Sequence, residues 1–447
     1  MDSSLKVAEL LQDSSGIREA FQRELHPISE TSLTVHGLTI DYFRQSPTRI
    51  SAQYTLDLEA SNGARDAQII TVTHFTDGRM DRQWKRLQAD YPDIGTPVGK
   101  FNLPGACFSP GLQSVIQAFP FDARLPGLRG IVAGSPEIRR LVSSTNGGQI
   151  VDWQANVVRY RPDMRAMARI DITFAGDGQQ VQRRIYAKAY READEGQRAY
   201  NLLQALAEHA DATDEFHVPR PLAYDAGLRT LLIDEVQGDR LLDIIRQNDD
   251  NRAPEAIRRA AHAVAAMHNT DVALAFLPEK SPDKEMQFAD VAVGLVRQFP
   301  QYGDTVHTVT SQIDAAFQPA PPRPTHYDLK QGHIIVNGES VTILDFDKMA
   351  IGDPLVDVAN VVATLGAERE GSARRAARRE NLADIFVEAY FSQVPAEWAR
   401  LFPAHLARAT VLEAATTGRG NRGRKGISQP EDRLVAALRR ASELLAS

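Results

Sequence analysis

The sequence predicts an α+β protein built from more than one compact unit, and three observations carry that expectation. Ile334-Ile-Val336 and Val341-Thr-Ile-Leu344 are short β-branched runs joined across Asn337-Gly338, a strong hairpin signal. Residues 195–206 and 256–268 carry apolar side chains at helical spacing. A chain of 447 residues exceeds what one hydrophobic core usually supports, so two or three units are expected.

Composition narrows the function classes. Hydrophobic content of 43% with 24% charged residues is ordinary for a globular enzyme, and no apolar run approaches the roughly 20 residues that cross a bilayer. Acids interrupt the apolar residues of the first thirteen positions, which argues against a secretory signal. One cysteine, Cys107, leaves no partner for an intramolecular disulfide and suits a reducing compartment, so a cytoplasmic location is expected. A net charge of −7 argues against nucleic acid as the main partner, and no membrane partner is expected.

The chemistry sits around the hairpin. His326-Tyr-Asp328-Leu-Lys330-Gln-Gly-His333 precedes its first strand and Asp345-Phe-Asp347 follows its second, so Asp328 and Asp345 fall at its open end. An Asp in a loop can accept the proton of an attacking hydroxyl, while a second Asp just after a strand can hold the metal that bridges nucleotide phosphates. Gly352-Asp353-Pro354 and Asp357 follow in that order.

That run resembles the aminoglycoside phosphotransferase and choline kinase superfamily, relatives of the protein kinases. The superfamily signature reads His-Gly-Asp, a few residues, Asn, then Ile-Asp-Phe or Ile-Asp-Trp, Gly-Asp-Pro and Asp. The resemblance spans about residues 150–370 and implies a protein-kinase-like bilobal fold, with an additional N-terminal α+β domain before it. It also implies ATP and Mg2+ as cofactors, with Mn2+ as an alternative. By position, Asp328 is the catalytic base, Asp345 the metal ligand, Asp357 a structural acid bracing the catalytic loop, and His326 a support behind it. Two departures matter. The family's metal-binding Asn is His333 here, which then contacts phosphate, binds a metal more tolerant of nitrogen, or takes no part. Lys330, two residues after the base, is closer to a protein-kinase loop and could neutralise γ-phosphate charge.

A kinase-like C-lobe at 238–447 requires an N-lobe before it, expected at 141–237. Its phosphate-covering turn falls at Pro162-Asp163, without a Gly-x-Gly-x-x-Gly run. Arg184-Ile-Tyr-Ala-Lys188-Ala-Tyr190 fits a strand whose Lys188 contacts the α/β-phosphates. Glu195, in the first turn of the next helix, is its expected carboxylate partner, with Glu192 as the rival. The strand at 230–234 leads into Glu235-Val236-Gln237, where the family's main chain recognises adenine. His268, ending the 256–268 helix, is read as structural. Helices are also expected at 360–365, 373–390 and 403–415, the region from which substrate-binding residues of this family usually come. The basic, Gly-rich stretch 417–425 is a linker or a loop able to close over an anionic substrate.

Residues 1–140 lie outside the resemblance and are expected to form an accessory domain. A weak internal repeat runs through them. At an offset of 116, Tyr54-Thr-Leu56-Asp-Leu58 falls on Ile170-Asp-Ile172-Thr-Phe174, and residues 84–89 fall on residues 200–205. At 115, Gly63 falls on Gly178, Ile70 on Ile185, Phe75 on Tyr190, and Thr73 on Lys188. Residues from about 30 to 95 are therefore expected to be a degenerate N-lobe copy that lacks the nucleotide lysine. Residues 96–150 are expected to be a connector with one helix near 136–143.

The expected activity is ATP-dependent phosphorylation of a hydroxyl on a small molecule, with a sugar or an aminoglycoside as the acceptor class. The rival reading is a non-catalytic nucleotide-binding pseudokinase, for which His333 is the main argument. Transfer of AMP is a third reading.

Overall fold

The computed structural model describes residues 3–28, 32–146, 148–176, 179–247, 249, 251–272, 277–280, 288–367, 373–417 and 430–446. Contacts divide the chain into two units, Met1–Gln197 with Pro221–Asp234, and Arg198–Arg220 with Glu235–Ser447. The fold is α+β, with strands and helices in both units.

The first unit opens with helices α1 (Ser3–Leu10) and α2 (Ser14–Glu24). Asp13 caps α2 by accepting from the Ser15 amide at 3.0 Å, and Ile17, Ala20 and Phe21 form its buried stripe. Strands β1 (Leu33–Ser46), β2 (Arg49–Ala60) and β3 (Arg65–Phe75) form a meander, followed by α3 (Met80–Asp90). Short strands β4 (Pro97–Val98), β5 (Leu103–Pro104), β6 (Ala106–Ser109) and β7 (Ser114–Ala118) complete this half. Helices α4 (Gly127–Ala133) and α5 (Pro136–Asn146) then lead to a second meander, β8 (Gln149–Arg161), β9 (Arg165–Gly176) and β10 (Gln179–Tyr190). Helix α6 (Ala193–Thr213) begins in this unit and runs on into the second from Arg198, and β11 (Pro221–Asp225) and β12 (Thr230–Asp234) close the first unit.

Two five-stranded antiparallel sheets result, ordered β1-β2-β3-β7-β6 and β8-β9-β10-β12-β11. Alternation explains their inner faces: Ile50, Ala52, Tyr54, Leu56 and Leu58 of β2 are buried at every second position. The first sheet packs with Phe21 and its neighbours, Phe21 meeting Tyr54 edge-to-face at 5.2 Å. The second packs Ile170, Ile172 and Ile185 against Leu128, Ile131, Ile138 and Val142 of α4 and α5. At roughly 1.5–3 kcal/mol for each buried large aliphatic side chain, burial is a main contribution to both cores. The cores part between Phe121 and Leu125, so α4 and α5 pack with the second sheet.

The expected connector is corrected here, because β6 and β7 lie within it and finish the first sheet. All five residues of β7 are buried, so this strand shows no alternation, and its Pro- and Gly-rich flanks resemble a loop.

The second unit contains β13 (Asp239–Arg240), α7 (Leu241–Arg246), α8 (Arg252–Asn269), α9 (Ala289–Gln298) and α10 (Gly303–Ala316). Strands β14 (Arg323–Thr325), β15 (Ile334–Asn337), β16 (Ser340–Ile343) and β17 (Ala350–Gly352) follow. Helices α11 (Leu355–Ala367), α12 (Ala373–Phe391), α13 (Trp398–Thr417) and α14 (Pro430–Ala446) end it. The expected hairpin is β15-β16, with Gly338 at φ +59° in its turn, and β13 joins it as a third strand. Strands β14 and β17 pair separately and deliver the chain to His326. The expected helices at 256–268, 360–365, 373–390 and 403–415 fall inside α8, α11, α12 and α13. Gly178 and residues 418–425 lie outside the described residues. Among the described residues no helix is long and apolar enough to cross a membrane.

Gly134 ends α4 at φ +62°, and a Cβ there would lie 2.8 Å from the Trp153 ring. Gly134→Ala is expected to lower stability by about 1–3 kcal/mol, read as a reduced midpoint in urea at unchanged slope. An unchanged midpoint would show that the ring moves aside freely.

Candidate active site

Asp357, at the start of α11, is fully buried and organises the loop that carries Asp328. Its Oδ2 accepts from the His326 amide at 2.5 Å and its Oδ1 from the Tyr327 amide at 2.8 Å. His268, also fully buried, donates from Nε2 to Oδ2 at 3.2 Å and sets its Nδ1 2.9 Å from the Tyr390 hydroxyl. These contacts hold Tyr327 at φ +60°, a left-handed conformation rare for a side chain of this size. The Tyr327 hydroxyl accepts from the Asp353 amide at 3.2 Å, and Asp353 is itself bonded to His405 at 2.6 Å. The turn therefore aims Asp328 by a buried network rather than by glycine freedom.

His326 supports the same loop. Its Nε2 donates to the Leu344 carbonyl at 2.8 Å and its Nδ1 accepts from the Asp328 amide at 3.2 Å, tying the Asp328 loop to the end of β16. Asp345 follows at φ +65°, a second strained non-glycine residue, and strain of this kind concentrates at functional sites.

Asp328, His333 and Asp345 each offer a ligand atom, and these atoms lie within 4.8 Å of one another. His333 Nδ1 donates to the Asp328 carbonyl at 2.9 Å, which leaves Nε2 as the lone-pair nitrogen, 3.9 Å from Asp345 Oδ2. Burial, with Lys330 beside it, pushes His333 down to about 4, so its ring is neutral at pH 7. Burial works against the Asp328 carboxylate, but Lys330 and Lys348 outweigh it and hold the group below the usual range. Lys348 Nζ donates to Asp328 Oδ1 at 3.2 Å, and Lys330 Nζ lies 3.9 Å from Oδ2.

The structure thus brings Asp328, Lys330, His333 and Asp345 together in one unit. Lys188 lies in the other unit on β10, paired with Met167 and Leu231, and it is buried rather than facing solvent. Glu195 is exposed in the first turn of α6, while Glu192 pairs with Arg191 at 2.9 Å. Glu235, Val236 and Gln237 form an irregular stretch after β12, where Gln237 Nε2 donates to Glu235 at 2.7 Å.

Lys348 and Tyr327 escaped the sequence reading. Lys348 is three residues past Asp345, and only the short helical turn Phe346–Lys348 folds it back onto Asp328. Tyr327 stands where the family signature has glycine, and that mismatch was the available signal. A cavity of about 1050 Å3 opens within the second unit beside Lys330, Gln331 and Gly332, with Arg379, Asp384 and Arg433 also lining it.

Residues 175–401, just over half of the chain, match the model of the phosphotransferase enzyme family. The chain belongs to that family. No curated protein matches the phosphotransferase. Among solved structures it is similar to the streptomycin–ATP ternary complex of APH(2'')-IIa, at 13% identity and TM-score 0.41, over 70% of this chain and 96% of that one. It is also similar to a thermostable mutant of aminoglycoside phosphotransferase APH(4)-Ia, at 15% identity and TM-score 0.44, over 69% and 98%. A choline/ethanolamine kinase family protein from Mesorhizobium loti aligns at 16% identity and TM-score 0.41, over 71% and 92%. Likenesses this low bear on no substrate.

Asp357→Ala strands two buried amides and the His268 ring. It is expected to destabilise the phosphotransferase by about 3 kcal/mol or more, measured by urea unfolding of the second unit. Unchanged unfolding would mean that the loop holds its shape without this carboxylate.

Proposed function

We propose that this phosphotransferase moves the γ-phosphoryl group of ATP to a hydroxyl of a small, sugar-like molecule. The observation that carries the reading is the convergence of Asp328, His333 and Asp345 within 4.8 Å.

The donor set fits a divalent cation. The Asp345 carboxylate and a neutral imidazole with its Nδ1 proton already engaged make a mixed oxygen and nitrogen site beside the Asp328 carboxylate, and such a site suits Mn2+ at least as well as Mg2+. Asp345 and the His333 Nε2 would hold the ion, which when bound supplies positive charge against the β- and γ-phosphate oxygens. Asp328 orients the acceptor hydroxyl and takes its proton. Its lowered proton affinity makes it a weak base, adequate where the transition state is loose and the proton leaves late. Lys330 and Lys348 balance the anionic charge around the transferring group.

By the family resemblance, Lys188 contacts the α/β-phosphates, Glu195 is the carboxylate that holds it, and Glu235, Val236 and Gln237 bind adenine through main chain. The chain divides by role into an accessory module, an N-lobe ending near Gln237 and a helical C-lobe.

The acceptor reading rests on the cavity beside Lys330. Its lining carries five basic residues and four acidic ones, a mixed surface that suits a neutral or zwitterionic polyol better than a polycation. What weighs against the non-catalytic reading is that His333, its main argument, engages Nδ1 with the Asp328 carbonyl and keeps its Nε2 lone pair beside Asp345, as a metal ligand would.

Calorimetry with ATP and Mg2+ or Mn2+ is expected to show metal-dependent binding that weakens at least about tenfold in Asp345→Ala. Asp328→Asn should bind ATP normally and lose about 100-fold or more in kcat. Equal, metal-independent binding by both proteins would return the pseudokinase reading. In an acceptor screen at fixed ATP, neutral sugars should be turned over in preference to polyamines, and the reverse order would refute the polyol assignment.

A further inference from the structure

The two sheets of the first unit share more than strand order. In the first, Ser46 pairs with Arg49 across β1-β2; in the second, Arg161 pairs with Arg165 across β8-β9. Arg49 pairs with Phe75 as Arg165 pairs with Tyr190. Thr73 pairs with Val115 as Lys188 pairs with Leu231, and Ala106 pairs with Gln117 as Pro221 pairs with Ile233. In these pairs residues of β1, β3 and β6 are displaced by 115 positions, and residues of β2 and β7 by 116. Between β6 and β7 only Ala106–Gln117 keeps the match, because a bulge between Pro221 and Ala223 shifts the rest of β11 by one residue. A bulge falls at Val35/Gly37 in one sheet and at Ile150/Asp152 in the other, again 115 apart. A helix follows the third strand in both. One-residue register slips invert a sheet's faces, so three strand pairings that match at one pair of offsets, with one residue pair of a fourth, are a demanding coincidence.

The copies also touch. In the second sheet the turn from Arg161 to Arg165 lies at the end of the sheet where Tyr190 pairs with Arg165, two residues along β10 from Lys188. This turn has no glycine, and its Asp163 is buried at φ +60°. The first copy and the link after it hold that residue from three sides. Arg49, the counterpart of Arg165, forms an ion pair with the Asp163 carboxylate and also donates to Thr73 at 3.3 Å. Asp122 accepts from the Asp163 amide at 2.8 Å and from the Tyr160 hydroxyl at 3.0 Å. Arg124 lies 4.0 Å from the Asp163 carboxylate.

We propose that residues 33–118 are a second copy of the N-lobe sheet that has lost the nucleotide lysine, and that it serves the reaction by clamping the phosphate-covering turn of the working copy. Arg49 of the copy and Asp122 of the link after it are the positioning residues. This rests on the phosphotransferase reading, in which that turn covers the nucleotide phosphates. The physical logic has two parts. A turn without glycine needs outside contacts to hold a left-handed residue. An aspartate facing a triphosphate repels it unless a cation neutralises it, which Arg49 does.

The test is ATP binding with Mg2+ by calorimetry, together with steady-state kinetics, on the full chain and on Arg49→Ala, Arg49→Lys and Asp122→Asn. Arg65→Ala serves as a control, since its ion pair with Asp57 is an exposed one on the same sheet. Arg49→Ala and Asp122→Asn should weaken ATP binding and raise the KM for ATP about five- to tenfold, leaving the acceptor KM unchanged. Arg49→Lys should recover part of the loss, and Arg65→Ala should match the wild type. Folded Arg49→Ala or Asp122→Asn with wild-type ATP affinity would overturn the clamp. A wild-type chain that binds no ATP would instead remove the phosphotransferase reading on which the clamp depends.

Discussion

Asp357 accepts from two consecutive backbone amides and from a buried imidazole, and the geometry of the loop that carries Asp328 follows from that carboxylate. Two amides pointing at one acceptor force the chain to bend between His326 and Tyr327, and the bend is what turns Asp328 outward. His326 then ties the loop to Leu344, so the position of Asp345 is set by the same network. A water-exposed carboxylate could not do this, because water would compete for each amide. Fully buried, it leaves those amides no alternative partner.

The consequence is a site whose strain is concentrated in few residues. Tyr327 and Asp345 both adopt left-handed backbone conformations that their side chains disfavour, and each lies beside a putting-in-place contact of the network rather than in a free loop. The same device recurs at Asp163, where a left-handed residue is again held by buried carboxylate and guanidinium partners. In both units, polar contacts fix left-handed backbone at residues other than glycine.

What could be read from sequence was local. The β15-β16 hairpin announced itself through β-branched runs around Asn337-Gly338, and the carboxylates on either side needed no tertiary information. The proposed repeat was suggested by long strands such as β2 and β9, whose apolar residues alternate in sequence, so the offset of 116 could be seen before any pairing was known. Its last two strands were not visible, since β6 and β7 are short and β7 is buried at every position. Contacts that bridge long stretches of chain left no trace either: Asp122 reaches Asp163 across 41 residues, and nothing in the sequence around either one marks the pairing. Lys348 went unread because a short turn, not a strand or helix period, returns it to Asp328.

The central claim is that His333 joins Asp345 in holding the metal, and pulsed EPR of Mn2+ bound with ATP to the full chain tests it most directly. The account predicts nitrogen modulation from an imidazole ligand in the wild type and its loss in His333→Asn. Modulation that is absent from the wild type, or unchanged in the variant, would contradict it.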